Sequence, residues 1–356
     1  MAILGVLVHH FVVPLCGNAI ASPGAYLAAA LRLSYTGVDL FFVLSGFLIG
    51  GILLDHRDSP ALLRTFYLRR FVRIVPLALL CIVVILGAQA AGLYGPPEGR
   101  PPWPWAVYVF FLTNLWMAGT LDWGYRPLAA LWSLGIEEQF YLVAPWLVLL
   151  VPRFRLPWLL LAFVILAPVA RLTLTLIYAD WSFAASLLPF GRMDCIGAGF
   201  AVAWVVRNST ARAWCDQHRT ALLASLMLSM AGLAWLTRLD ATNAGRTMAI
   251  GGYSVVTVFY SLLLLLTLIS PATRWTRLLS FRPLVQLGRW SYFVYLFQGF
   301  AISLTVGLLF HHRLAVINPT GWLQLAAGTA GLLLAAAVSA KYFEAPLIHW
   351  GRRHSY

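Results

Sequence analysis

"LWSLGIEEQFYLVAPWLVLL", residues 131–150, has the length of a bilayer-crossing helix, yet it carries Glu137 and Glu138 side by side near its middle. An ionised group at the bilayer centre costs at least about 2.5–3.5 kcal/mol, so such residues face protein or a water-filled cavity. Neighbouring helical residues point about 100° apart, and only positions i, i+3 and i+4 share a face. Ser133, Glu137 and Tyr141 therefore fall on one stripe, and Leu134, Glu138 and Leu142 on another. One acid can face a cavity while the other meets a neighbouring helix or the outer interface.

The rest of the chain has the same solvent. Hydrophobic residues make up 61% of it and charged residues 10%, with a strongly positive mean hydropathy, which places it among membrane proteins. Apolar runs long enough to cross a bilayer fall near 1–16, 35–54, 73–94, 129–151, 157–178, 184–206, 219–237, 248–270, 290–310 and 321–343. The expected fold is all-α: a polytopic membrane helix bundle of about ten transmembrane helices forming a single domain over 1–356. The stretch "WPWAVYVFFLTNLWMA" (103–118) is shorter and opens on Trp and Pro. If it does not cross, the loops divide so that sixteen arginines lie on one side, in loops near 57–73, 153–155, 207–219, 274–289 and 352–353. The other side holds Arg32, Arg100, Arg126, Arg238, Arg246 and Arg313. The bias vanishes if 103–118 crosses, so it is read as interfacial or re-entrant. By the positive-inside rule, the sixteen-arginine side and both termini are cytoplasmic.

The same pattern explains the net charge of +13 as topology rather than nucleic-acid binding. Cys16, Cys81, Cys195 and Cys215 have no CxxC spacing and point to neither a disulfide framework nor a metal site. Asn-Ser-Thr at 208–210 lies in a loop read as cytoplasmic, so its match to a glycosylation acceptor is taken as chance. Met1 begins inside an apolar run without a basic start, which argues against a signal peptide and makes the first helix look incomplete.

Within the expected spans lie His9, His10, Asp39, Glu137, Glu138, Arg171, Arg192 and Asp194. A single structural ion pair needs far fewer ionisable groups, so the set implies a polar cavity. Arg192 and Asp194 stand two apart on opposite sides of their helix and are expected to serve different neighbours.

Six stretches resemble the acyltransferase type 3 family of integral-membrane O-acyltransferases: "TGVDLFFVLSGFLI" (36–49), "YLRRFVRIVP" (67–76), "LWSLGIEEQFYL" (131–142), "GRMDCIGAGFA" (191–201), "LGRWSYFVYLF" (287–297) and "KYFEAP" (341–346). They run in the family's order over nearly the whole chain. The resemblance implies transfer of a short acyl group, usually acetyl, from acyl-CoA (acetyl-CoA) to a hydroxyl of a sugar or glycan-like acceptor at the bacterial inner membrane, with no permanently bound cofactor. Arg70 and Arg73 match its Arg-x-x-Arg element, and Ser133 with Glu138 its Ser-x4-Glu element. Two departures stand out: the family's Arg upstream of the first-helix His would precede Met1, and Gln298 stands where members commonly have His.

With this resemblance, Arg70 and Arg73, three apart on one face, are expected to fork onto the CoA phosphates. His10, with His9 as the alternative register, is the expected general base or transient acyl carrier. Glu138 is the first choice and Asp39 the second for the acid that orients it. Ser133, Glu137, Arg192 and Asp194 are candidate substrate or supporting residues. The bland readings are positive-inside anchors for the two arginines, helix-end histidines, an acid pair matched to Arg192 or Arg171, and an interfacial aromatic belt for Trp103, Trp105, Trp116 and Trp123. The rival function is a transporter or flippase for a glycan or lipid-linked sugar, although no pair of similar halves is visible.

Overall fold

The structure is a computed structural model that describes residues 1–13, 31, 33–93, 102–177, 182–239, 245–270, 273–310 and 319–356. Cys16, Arg32, Arg100 and Arg313 lie outside the described residues. Every regular element among the described residues is helical. In chain order these are α1 (Ala2–Val12), α2 (Gly37–Asp55), α3 (Leu62–Ala90), α4 (Trp105–Val109), α5 (Thr113–Thr120), α6 (Leu131–Leu150), α7 (Leu156–Ile177), α8 (Ser182–Leu187) and α9 (Met193–Arg207). There follow α10 (Ser209–Gln217), α11 (Arg219–Leu236), α12 (Tyr253–Ile269), α13 (Arg274–Leu279), α14 (Arg282–Phe310), α15 (Pro319–Ser339) and α16 (Ala345–Arg352).

Among the described residues, six helical stretches are long and apolar enough to cross a membrane: Leu33–Asp55, Leu62–Ala90, Leu156–Ile177, Arg219–Leu236, Met248–Ile269 and Ala326–Arg352. The other four expected spans are helical but fall outside that set. α1 is short. The expected span 184–206 is interrupted at Pro189–Gly191, where proline removes a backbone donor between α8 and α9. α6 is long, but Glu137, Glu138 and Gln139 dilute it; α14 has the length to cross and carries Arg289, Ser291, Tyr292, Tyr295 and Gln298.

The 103–118 stretch folds as α4 and α5, too short to cross singly. The break falls at Phe111, whose φ of 55° is unusual for a bulky residue. Its carbonyl accepts from Gln139 Nε2 (3.2 Å), and Gln139 exchanges two hydrogen bonds with Asn114, each 3.1 Å. The reciprocal amide pair fastens this segment to α6.

α2 forms the central post, packed most closely on α9. A Cβ on Gly46 would strike the backbone of Ile196, and one on Gly199 would strike that of Val43. Without a hydrophobic drive in lipid, such close backbone approach through small residues holds helices together. Two buried ion pairs brace the same region: Arg192–Asp39 (2.9 Å) between the residue preceding α9 and α2, and Arg171–Asp194 (2.7 Å) between α7 and α9. Arg171 is completely buried and also donates to the carbonyls of Ala249 and Gly191 and to Ser254 Oγ.

One end of the bundle gathers arginines from loops distant in sequence. Arg57 donates to the Val151 carbonyl (2.7 Å), Arg153 pairs with Asp58 (2.5 Å), Arg207 forks onto both oxygens of Asp55 (2.7 Å each), and Arg69 donates to the His354 carbonyl. These loops were all assigned to one side by the arginine count, and here they meet. Asn208, first residue of the apparent glycosylation match, caps α10 by accepting from Ala211 N (2.9 Å).

Candidate active site

A cavity of about 380 Å³ opens between α1, α2, α3, α6 and α14. Its polar lining comes from four helices: Ser45 on α2, Arg70 and Arg73 on α3, Ser133, Glu137 and Tyr141 on α6, and Ser291, Tyr292 and Tyr295 on α14. Phe41, Phe42, Leu48, Ile49 and Leu134 supply apolar wall. Arg70 and Arg73 sit in the first half of α3, close to the arginine-rich end, while Ser133 and Tyr295 belong to the inner end. The cavity thus grades from two cations to a set of hydroxyls and one carboxyl.

The polar groups are linked. Ser45 Oγ and Tyr141 Oη lie 2.5 Å apart, and Tyr141 Oη donates to Glu137 Oε2 at 3.3 Å. Ser133 Oγ and Tyr295 Oη are also 2.5 Å apart, and Tyr292 donates to the Ile74 carbonyl (2.8 Å). Arg70 lies over the Tyr141 ring, 6.0 Å from its centroid, and its Nε has no hydrogen-bond partner. A buried donor without a partner, beside an exposed Arg73, suits an anionic ligand.

Of the two adjacent acids, Glu137 faces the cavity with Ser133 and Tyr141, the stripe that helical spacing predicts. Glu138, the first choice for an acid against His10, does not line it, and its buried Oε1 has no hydrogen-bond partner. Asp39, the second choice, is bound to Arg192 and to the Cys195 thiol (3.5 Å). Among the described residues neither carboxylate hydrogen-bonds to His9 or His10. The alternative of an acid pair matched to Arg192 or Arg171 also fails, because those guanidiniums are taken by Asp39 and Asp194. The expectation that Arg192 and Asp194 serve different neighbours agrees with this pairing.

The histidines lie apart from the cavity lining. Met1, Ala2 and Ile3 line it, whereas His9 and His10 stand two turns farther along α1, in its π-helical part Val8–Val12. The two rings meet edge to face at 5.0 Å, and His9 meets Tyr35 in the same way at 5.7 Å. His10 is exposed; His9 is half-buried with its Nδ1 unpartnered. Arg126, on the turn Arg126–Leu128, is near enough to act electrostatically on His10. The tryptophans form contacts rather than one flat platform: Trp103 stacks with Tyr108, and Trp123 meets Phe183 edge to face at 4.8 Å.

Sequence reasoning gave no role to Ser45 or Tyr295. Both sit inside stretches quoted for the family resemblance, and Tyr295 lies three and four residues from Tyr292 and Ser291 on one helical stripe. That spacing was the available signal.

A family model described as an acyltransferase domain matches residues 1–340. The chain belongs to this acyltransferase family. Peptidoglycan O-acetyltransferase OatA of Listeria monocytogenes is 28% identical to this chain over 327 residues, covering 88% of this chain and 51% of that protein. O-acetyltransferase OatA of Staphylococcus aureus is 26% identical over 312 residues, covering 83% of this chain and 48% of its own length. The chain spans about half the length of these curated relatives. No solved structure matches it. These findings do not favour the transporter reading.

Proposed function

We propose that the chain is a membrane O-acetyltransferase that takes acetyl from acetyl-CoA entering at the arginine-rich end and passes it to a hydroxyl of a glycan-like acceptor. The observation that carries this reading is the cavity itself, with Arg70 and Arg73 towards the arginine-rich end and the Ser133–Tyr295 hydroxyl pair deep inside. By the positive-inside rule that end is cytoplasmic, where CoA thioesters are present, and both termini lie there in the cell membrane. Arg70 and Arg73 bind phosphate, and the pantetheine arm extends along the apolar wall. In the transfer the thioester C–S bond breaks and an ester C–O bond forms. The acceptor's proton passes to the leaving thiolate through His10, or His9 in the alternative register. Hydroxyls at the inner end are placed to donate to the thioester carbonyl as charge develops on its oxygen. Glu137, held by Tyr141, supports this end; Glu138 serves in that role if α6 turns in the occupied state. Asp39, Asp194 and Arg192 hold the helices that carry the site.

Acetyl-CoA binding and turnover by purified protein in detergent test this. Arg70→Ala is expected to weaken donor affinity by roughly 10- to 100-fold, as for loss of a charge-assisted hydrogen bond. His10→Ala is expected to lower turnover by roughly 10²–10⁴-fold, with the donor still bound. Absence of acetyl-CoA binding by the unmodified protein would remove the reading. Loss of turnover on His9→Ala alone would move the assignment by one residue.

A further inference from the structure

The geometry points to Gln298 as a binding residue for the acceptor: its side-chain oxygen takes a hydrogen bond from an acceptor hydroxyl neighbouring the attacking one, between the cavity's inner end and the His9–His10 face. This rests on the acyltransferase reading above.

Three observations converge on this residue. The first is its place on α14, where Gly288, Ser291, Tyr292 and Tyr295 line the cavity at helical spacing. Three residues beyond Tyr295 on the same face stands Gln298. The second is its state: it is 2% exposed, and its Oε1 has no hydrogen-bond partner. Buried amide oxygens almost always have a donor, so an orphan beside a cavity-lining stripe marks a place where a donor arrives from outside the chain. The third is what surrounds it. A Cβ on the next residue, Gly299, would lie 3.1 Å from the carbonyls of both Arg126 and Pro127, so this part of α14 abuts the turn whose Arg126 acts on His10. α14 also packs against both the α-helical and the π-helical part of α1. Gln298 therefore stands where the donor cavity, the histidine-bearing helix and the Arg126 turn come together.

Chemistry selects the acceptor. An amide oxygen needs an O–H or N–H, which a sugar hydroxyl provides and a thioester group lacks. The pantetheine amides of the donor are the competing partners, and donor affinity separates the two cases. Gln298→Met keeps the shape and removes the acceptor oxygen; Gln298→Glu keeps an oxygen in place.

The test uses the full chain in nanodiscs, with acetyl-CoA as donor and chitopentaose, a pentamer of N-acetylglucosamine, as acceptor probe. Gln298→Met is expected to raise KM for the pentamer about tenfold, the size of one neutral hydrogen bond. The Kd for acetyl-CoA and the melting temperature should not fall, and Gln298→Glu should restore the pentamer KM. An unchanged pentamer KM in Gln298→Met overturns the assignment, as does an equal weakening of acetyl-CoA. Acetyl-CoA binding by the unmodified chain with no transfer to the pentamer overturns it too, while leaving the donor reading standing. Failure to bind acetyl-CoA at all removes the donor reading instead.

Discussion

At the scale of single residues, the α6 acids show how far helical spacing reaches. Their separation onto two stripes follows from a 100° turn per residue, and Glu137 does share its stripe with Ser133 and Tyr141. Which stripe meets the cavity depends on where α2, α3 and α14 stand, and no local rule contains that. The expected outcome is that Glu137→Gln lowers acetyl transfer more than Glu138→Gln does. Equal losses in a side-by-side assay of transfer rates would show that exposure to the cavity is not what distinguishes them. Asp39 gives the opposite lesson. As an acid inside a helix it qualified as a partner for His10, yet the structure commits it to Arg192. Asp39→Asn leaves a buried guanidinium uncompensated and is expected to destabilise the fold by about 3–5 kcal/mol. Replacing both partners with apolar residues should cost less, and unfolding in detergent compares the two. A single variant no less stable than the double one would contradict the pairing.

At the scale of elements, hydropathy and function pull against each other. α6 is a long helix that misses the apolar standard for a span, and it lines the cavity. Glu137, which faces the cavity, and its neighbours Glu138 and Gln139 are the residues that dilute the membrane signal of this helix. Contact between α2 and α9 is a different case, because glycine in an apolar run carries no visible sign of whether a backbone passes close by. Gly46→Ala and Gly199→Ala are each expected to destabilise by about 1–3 kcal/mol through overpacking. Gly87, with open space around its missing Cβ, is the comparison site, where Ala should be neutral or mildly stabilising. A similar thermal shift at all three positions would refute close approach as the cause.

At the scale of the whole molecule, the arginine count divides the loops between the expected spans, and contacts such as Arg57–Val151, Arg153–Asp58 and Arg207–Asp55 join loops from one side of that division. Membrane orientation has its own check. Single cysteines introduced at Asp58 and Arg353 should resist a membrane-impermeant maleimide applied to intact cells, and one at Thr120 should react. Labelling at Asp58 would invert the topology. The sequence by itself determined the solvent, the helical class and the family, because each depends on composition or on spacing along one helix. Tertiary structure alone decided that Glu137 rather than Glu138 meets the cavity, that Asp39 belongs to Arg192, and that Gln298 is buried with its side-chain oxygen unpartnered. The physical reason is that a side chain's partner lies on another helix, and the rotation and depth of that helix are fixed by packing across the whole bundle.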